Sequence, residues 1–178
     1  MNTDTDRFDA DRFGTVERTP DGGVIRFDRQ LAYPVEQVWA AITEPERLAD
    51  WWTPFETEIT ADLRVGGTIS FTWPDSPPFE FTILRFEPPT LLETTHTSPG
   101  AWQRWELEPT ADGTHLRTTY FLTDPDLAIE RGDIVGLHYG LDRLEPALAG
   151  TPVPVDMEAF GALLAAYAER GLKATQLG

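Results

Sequence analysis

The histidines are the side chains in this sequence best suited to proton transfer, because imidazole titrates close to neutral pH. The chain has three of them, His96, His115 and His138. His138 is followed by Tyr139, and this pair could exchange a proton with a substrate and hydrogen-bond a carbonyl oxygen. The pair is also typical of the partly exposed side of an ordinary helix, where the histidine is half-exposed and has no chemical role. We favour this simpler interpretation because the sequence shows no partner that would orient His138.

Metal and cofactor sites have little support in the sequence. The histidines are not spaced as H-x-H or at i, i+4, and the chain has no cysteine to supply a thiolate. Two strands could still bring His96 and His115 together, but two separate histidines are the simpler interpretation. Gly66-Gly67 is not followed by G-K-[ST], and no G-x-S-x-G is present. We therefore expect no metal and no cofactor, and we assign no catalytic residue.

Aromatic side chains give a stronger signal than the histidines. They make up 11% of the chain, with ten Phe and six Trp, which indicates either a large core or an aromatic-lined cavity. Phe71 and Trp73 share one face of a predicted strand, and Phe79 and Phe81 share a face of the next, because side chains alternate along a strand. Such faces enclose either a ligand or a filled core, and both need an apolar lining.

Charge argues against two classes of partner. The formal net charge is −16 and the sequence pI is about 4.4. Such a surface repels nucleic acid and anionic lipid, so we expect neither nucleic acid nor a membrane as a partner. Residues 1–13 lack the basic and apolar regions of a signal peptide, and no apolar stretch approaches the roughly 20 residues of a membrane span. We therefore predict an acidic, cytoplasmic protein.

The order of the predicted elements indicates an α+β fold. A strand at 24–31 precedes a helix that opens at Pro34 and a second short helix from Pro45. About six further short segments, separated by Pro and Gly, are typical of strands, and their hairpin-length connections favour an antiparallel sheet. A long helix over 133–150, with Asp133 as its N-cap, carries an apolar stripe that would cover the sheet.

Composition divides the chain into three parts. We predict a mobile acidic leader over 1–22 and a single domain over 23–150. Residues 151–178 are predicted to form a Pro-rich connector and an extra C-terminal helix packed on the same domain. This last part fits a lid over a cavity and a dimer contact equally well, so we leave both a monomer and a homodimer open.

Three stretches resemble one family in their order and spacing. They are Pro34 to Glu46 followed by Leu48 and Trp51-Trp52, then Val65-Gly66-Gly67-Thr68-Ile69-Ser70-Phe71, and finally Gly136 with Leu141-Asp142-Arg143-Leu144. They are similar to the opening helices, the glycine turn and the terminal helix of proteins like the C-terminal domain of the heat-shock protein 90 ATPase activator. That family belongs to the START-like (SRPBCC) superfamily. One departure is Leu137, where the family often has Trp.

The resemblance implies a helix-grip fold with a ligand cavity. In that fold a curved antiparallel sheet, here of about six or seven strands, wraps around a long C-terminal helix, and two short helices follow the first strand. Members of the superfamily bind apolar molecules between the sheet and the helix. The candidate lining residues that follow are Trp52, Phe71, Trp73, Phe81, His96, Trp105, Tyr120, Leu137, His138, Tyr139 and Leu141.

The function that the resemblance implies is the binding of a small hydrophobic ligand of unknown identity in this cavity. One alternative is a cyclase- or hydrolase-type enzyme that uses His138 or Tyr139 in the same cavity. Another is a protein that interacts with a chaperone and activates its ATPase, although no motif in the sequence supports a chaperone partner. Many bacterial members have no known activity, and a shared fold does not decide among these functions.

Overall fold

An eight-stranded sheet forms the centre of the computed structural model, which describes residues 9–53 and 56–177. The strands are β1 (Thr15–Thr19), β2 (Gly22–Leu31), β3 (Glu58–Ala61), β4 (Thr68–Thr72), β5 (Phe79–Glu87), β6 (Leu91–Thr95), β7 (Trp102–Thr110) and β8 (Gly113–Leu122). The helices are α1 (Val35–Thr43), α2 (Pro45–Ala49), α3 (Pro125–Arg131), α4 (Asp133–Leu148) and α5 (Met157–Glu169). This is the predicted α+β order.

The strands follow the order β1-β2-β8-β7-β6-β5-β4-β3, and each neighbouring pair is antiparallel. Short connections set the register, as in the β7–β8 hairpin, where Thr110 pairs with Gly113. The sheet is curved and does not close. Helix α1 contacts β7 and β8, and α4 contacts α1 and β2. The sheet thus grips α4, which is the predicted helix-grip fold.

Periodicity explains why α4 packs against the sheet. Ile134, Leu141 and Leu144 recur on one face of the helix and are buried. On β2, Ile25 and Phe27 point to the same side of the sheet because they are two residues apart, and both are buried. The apolar stripe of the helix and the apolar face of the strand therefore meet in one core.

The N-terminal residues differ from the predicted mobile leader over 1–22. Thr15–Thr19 forms β1, which pairs with β2 at the edge of the sheet. Phe13 is buried, with its ring centroid 5.1 Å from that of His138. The sheet consequently has eight strands rather than six or seven, and α1 and α2 follow the second strand rather than the first. Residues 1–8 of the predicted leader lie outside the described residues.

The junction before α4 also differs from the prediction. The N-cap of α4 is Gly132 rather than Asp133, and Gly132 has a φ of 83°, which glycine adopts without strain. This conformation ends α3 and starts α4 directly. Helix α3 is absent from the prediction because its seven residues are too few to show a period. Asp124 caps it by accepting a hydrogen bond from the Leu127 N–H at 2.9 Å.

The segment after α4 folds back onto α4 through α5. Asp156 starts α5 by accepting hydrogen bonds from the N–H groups of Glu158 and Ala159. Leu163 and Tyr167 are buried, and they anchor α5 to the core. None of the helices in the described part of the chain is long and apolar enough to cross a membrane.

Candidate functional site

A cavity of about 580 Å³ lies between α4, α5 and the loop that joins β6 to β7, and we call it the α4–α5 cavity. Its lining residues are Trp52, Phe79, His96, Thr97, Ser98, Arg131, Asp133, Gly136, Leu137, Tyr139, Gly140, Arg143, Val155, Met157 and Phe160. Its size lies within the range of small-molecule sites, and its lining combines apolar and aromatic side chains with a few polar ones, as such sites do.

One face of α4 forms the floor of the cavity. Asp133, Gly136, Leu137, Gly140 and Arg143 recur at helical spacing and therefore share a side of the helix. The two glycines leave space there. A Cβ atom added to Gly136 would meet no atom within 4 Å, and one added to Gly140 would lie 3.8 Å from the Trp52 ring.

The second wall is the tryptophan pair that follows α2. Trp51 is buried and donates its indole N–H to the carbonyl of Ala41 at 2.9 Å, so its ring fills the core. Trp52 is half-buried and lines the cavity. Its ring contacts those of Trp51 and Trp105 edge to face, at centroid distances of 5.2 and 5.7 Å. Such packing holds the Trp52 ring in place.

The third wall comes from the connector and α5. The Tyr139 hydroxyl accepts a hydrogen bond from the Asp156 N–H at 2.6 Å and donates one to the Asp156 carbonyl at 3.2 Å. The Tyr139 and Phe160 rings meet edge to face at 5.4 Å. These contacts tie α4 to the start of α5. Met157 lies at the mouth of the cavity with 69% of its surface exposed.

Arg143 is the most buried charged group in the lining, with 8% of its surface exposed. Its Nη1 donates hydrogen bonds to the carbonyls of Trp51 at 2.8 Å and Thr53 at 3.2 Å, and its Nε donates one to the Val153 carbonyl at 3.3 Å. Burial lowers the pKa of Arg143, but a guanidinium remains charged at neutral pH. The cavity wall therefore carries a positive charge.

Two other titratable groups of the lining are shifted toward their neutral forms. Burial lowers the pKa of His96, whose ring packs against those of Phe81 and Tyr120. Burial also raises the pKa of Asp133, and the charge of Arg131 opposes this rise in part. In both residues burial therefore favours the uncharged form of the side chain.

The predicted lining residues fall into three groups. The α4–α5 cavity is lined by Trp52, His96, Leu137 and Tyr139. A second space of only about 20 Å³, between the sheet and the end of α2, is lined by Phe71, Phe81, Trp105 and again Trp52. Neither space is lined by Trp73, Tyr120, His138 or Leu141. The aromatic side chains Phe71, Phe81 and Trp105 therefore pack as a filled core. The larger space, which Phe79 at the start of β5 lines, lies on the other side of Trp52.

His138 lies in the core, away from the α4–α5 cavity. The Tyr167 hydroxyl accepts a hydrogen bond from the Gly14 N–H at 2.9 Å and donates one to the His138 Nδ1 at 3.0 Å. The Nε2 atom lies 3.3 Å from Asp142 and carries the proton in this arrangement. Burial lowers the pKa of His138. Burial thus favours the neutral imidazole, although the Asp142 carboxylate opposes this shift in part. The hydrogen bonds of the Tyr167 hydroxyl to Gly14 and His138 join the N-terminal segment, α4 and α5.

The structure separates His96 from His115. His96 follows β6 near the start of β7, whereas His115 pairs with Glu108 near the end of β7. Six residues of strand separate these two ends, which is about 20 Å. His115 instead lies 2.8 Å from an Asp28 oxygen. No group of three or more His, Asp or Glu side chains in the described ranges could hold a metal ion.

Sequence reasoning missed the charged floor and the third wall of the cavity. The position of Arg143 could have been predicted from the spacing along the helix. It lies three residues after Gly140 and seven after Gly136, so all three share one face of α4. Val155, Met157 and Phe160 have a weaker one. They are apolar residues in a segment whose position relative to α4 no local pattern predicts.

Comparisons with known proteins identify relatives of this fold. A family model described as "Activator of Hsp90 ATPase homolog 1-like protein" matches residues 32–149. No curated protein sequence matches the chain.

Solved structures from bacteria share most of the chain. CalU16 from Micromonospora echinospora has 27% identity and a TM-score of 0.65, over 90% of this chain and 96% of that one. NE0264 from Nitrosomonas europaea has 25% identity and a TM-score of 0.61, over 80% and 97%. EF2215 from Enterococcus faecalis, described as a conserved protein of unknown function, has 20% identity and a TM-score of 0.70, over 88% and 89%. This last likeness is one of fold alone.

Proposed function

Since the chain belongs to the family of activator of Hsp90 ATPase homolog 1-like proteins, which are START-like domains, we propose that it binds a small hydrophobic molecule in the α4–α5 cavity. The observation that carries this proposal is the cavity itself, about 580 Å³ in volume, with a largely apolar lining. Burying apolar ligand surface there provides the driving force. A ligand of about 20 non-hydrogen atoms, at roughly 0.3 kcal/mol per atom, would bind with a Kd of order ten micromolar.

The proposed ligand lies on the α5 side of Trp52 rather than between the sheet and α4. The rings of Trp51 and Trp105 occupy the region between the sheet and α2. By contrast, Gly136 and Gly140 leave the floor of the α4–α5 cavity open. An apolar molecule could therefore enter without displacing a core side chain.

The first test is native mass spectrometry of gently purified protein, in which a mass that disappears on denaturation reports a bound molecule and the intact mass reports monomer or dimer. The second is a fluorescence titration with N-phenyl-1-naphthylamine, a neutral apolar probe. Gly136→Leu should reduce probe affinity at least tenfold by filling the cavity. Gly161→Leu is the matched control, because it makes the same change in the exposed face of α5, where an added Cβ also meets no atom within 4 Å.

Both substitutions replace a helical glycine, so each should keep or slightly raise stability, by up to about 1 kcal/mol. Equal probe binding by the two variants would place the probe elsewhere and overturn the proposal. An Hsp90 ATPase assay examines the alternative that the family's description raises. Stimulation that survives Gly136→Leu would assign the chaperone activity to a different surface.

The enzyme alternative has no matching geometry at His138, because this side chain is fully buried against Phe13 and Tyr167 rather than in the cavity. Tyr139 does line the cavity, but its hydroxyl is engaged by the backbone of Asp156. We therefore propose ligand binding and not catalysis through this pair.

A further inference from the structure

The guanidinium of Arg143 has an unused hydrogen-bonding edge. Its Nε and Nη1 groups donate to three backbone carbonyls, whereas its Nη2 group has no hydrogen-bond partner within the described ranges. Arg143 likewise forms no ion pair with a described carboxylate. A cation that is 8% exposed is costly unless an anion compensates it. The missing partner is therefore expected in the space that Arg143 lines, the α4–α5 cavity.

The other charges in the lining favour an anion as well. Arg131 lies in the lining near Asp133, and burial raises the pKa of Asp133. The lining thus contains two arginines against one aspartate, in a chain whose formal net charge is −16. A locally positive site on a strongly acidic protein selects for negative ligand groups that the rest of the surface repels.

We propose that the ligand of the α4–α5 cavity is an amphipathic acid. Its apolar body packs against Trp52, Leu137 and Phe160, and its anionic oxygen group accepts a hydrogen bond from Nη2 of Arg143. A guanidinium suits this role because its N–H groups lie in a fixed plane and form strong, charge-assisted hydrogen bonds with oxyanions. This inference rests on the proposed function, since it requires the same cavity to bind a ligand.

Two fluorescent probes with the same aromatic skeleton test the inference. 1-Anilinonaphthalene-8-sulfonate carries an anionic sulfonate, and N-phenyl-1-naphthylamine lacks it. We expect the wild type to bind the sulfonate at least as tightly as the neutral probe, although water favours the free anion. R143Q should lower the affinity for the sulfonate relative to the neutral probe about tenfold, the size expected for one lost charged hydrogen bond.

The matched control is R117Q, which makes the same change in net charge on the outer face of the sheet, where Arg117 bonds to Asp28 at 3.0 Å. It should leave the ratio of the two affinities unchanged. Circular dichroism checks that R143Q is folded. If R143Q does not fold, R131Q, at the exposed rim of the same lining, replaces it as the test variant. We then expect the affinity for the sulfonate relative to the neutral probe to drop about threefold.

The outcomes separate this inference from the proposed function. If the wild type binds the neutral probe tightly and the sulfonate tenfold more weakly, the inference of an acidic ligand is wrong, but the proposal of a hydrophobic binding cavity is still supported. The inference is also wrong if R143Q and R117Q change the affinity for the sulfonate relative to the neutral probe by the same factor. If the wild type binds neither probe, the proposed function fails together with the inference.

Discussion

The substitution Tyr167→Phe removes one oxygen atom from the centre of the junction between the N-terminal segment, α4 and α5. That oxygen accepts a hydrogen bond from the Gly14 N–H at 2.9 Å and donates one to the His138 Nδ1 at 3.0 Å. Burial raises the pKa of Tyr167, so the hydroxyl keeps its proton at any pH used for the test. Phenylalanine fits the same space, so the change removes hydrogen bonds without opening a large cavity.

The expected loss of stability follows from these two bonds. A buried polar group that loses its partner costs about 1–3 kcal/mol, and here one donor and one acceptor each lose the Tyr167 hydroxyl. We therefore expect Tyr167→Phe to lower the free energy of unfolding by about 2–4 kcal/mol. For a chain of 178 residues, a loss of about 3 kcal/mol corresponds to a Tm lower by roughly 6–12 °C.

Urea unfolding followed by circular dichroism measures the effect, and an unchanged m-value would show that only stability has changed. Tyr139→Phe is the matched control. Its hydroxyl also forms two hydrogen bonds, both to the Asp156 backbone, but Tyr139 is half-exposed, and water can replace them. We expect a loss below about 1 kcal/mol there. If Tyr167→Phe costs no more than Tyr139→Phe, the junction is not the buried hydrogen-bond centre described above.

Three further predictions follow from the core and the cavity. Burial lowers the folded-state pKa values of His138 and His96, so the unfolded chain binds more protons than the folded one at mildly acidic pH. The free energy of unfolding should therefore fall as the pH drops below about 6.5. The urea midpoints of H138Q and H96Q should each change less with pH than the midpoint of the wild type. Leu137→Trp should fill the cavity and lower N-phenyl-1-naphthylamine affinity at least tenfold, whereas unaltered binding would contradict the cavity's location. Gly132→Ala should lower the Tm by about 2–8 °C in a thermal melt, because φ is 83° there and a residue with a Cβ loses roughly 1–2 kcal/mol in that conformation; an unchanged Tm would count against this strain.

The general fold could be predicted because its signals are local and repeated. The stripe that includes Leu141 and Leu144, and the alternation along β4 and β5, are visible in short windows of sequence. Strand β1 gives no such signal, because four of its five residues are exposed at the edge of the sheet. Phe13, next to that strand, owes its burial to His138 and Tyr167, which are distant in sequence.

The cavity could be predicted only in part, because the same apolar residues serve a filled core and a lined space. Alternation places Phe71 and Phe81 on a buried face, but it does not reveal that Trp51 and Trp105 fill the region beside them. Four predicted side chains do line the larger cavity, and Trp52 is one of them. Which of two adjacent tryptophans faces a cavity depends on how α2 meets α4, and this is a tertiary property.

The connector and α5 add one wall to the α4–α5 cavity, and this wall lies beyond the residues that the family model matches. The family match ends at residue 149, whereas Val155, Met157 and Phe160 close one side of the cavity. A different set of α5 residues, including Leu163 and Tyr167, anchors the helix to the core. Because anchoring and lining use different residues, the lining can change without detaching α5. Most of the lining residues, including Trp52 and Arg143, nevertheless lie within the family-matched range. Even so, a relative's ligand cannot be transferred to this chain from the shared fold alone.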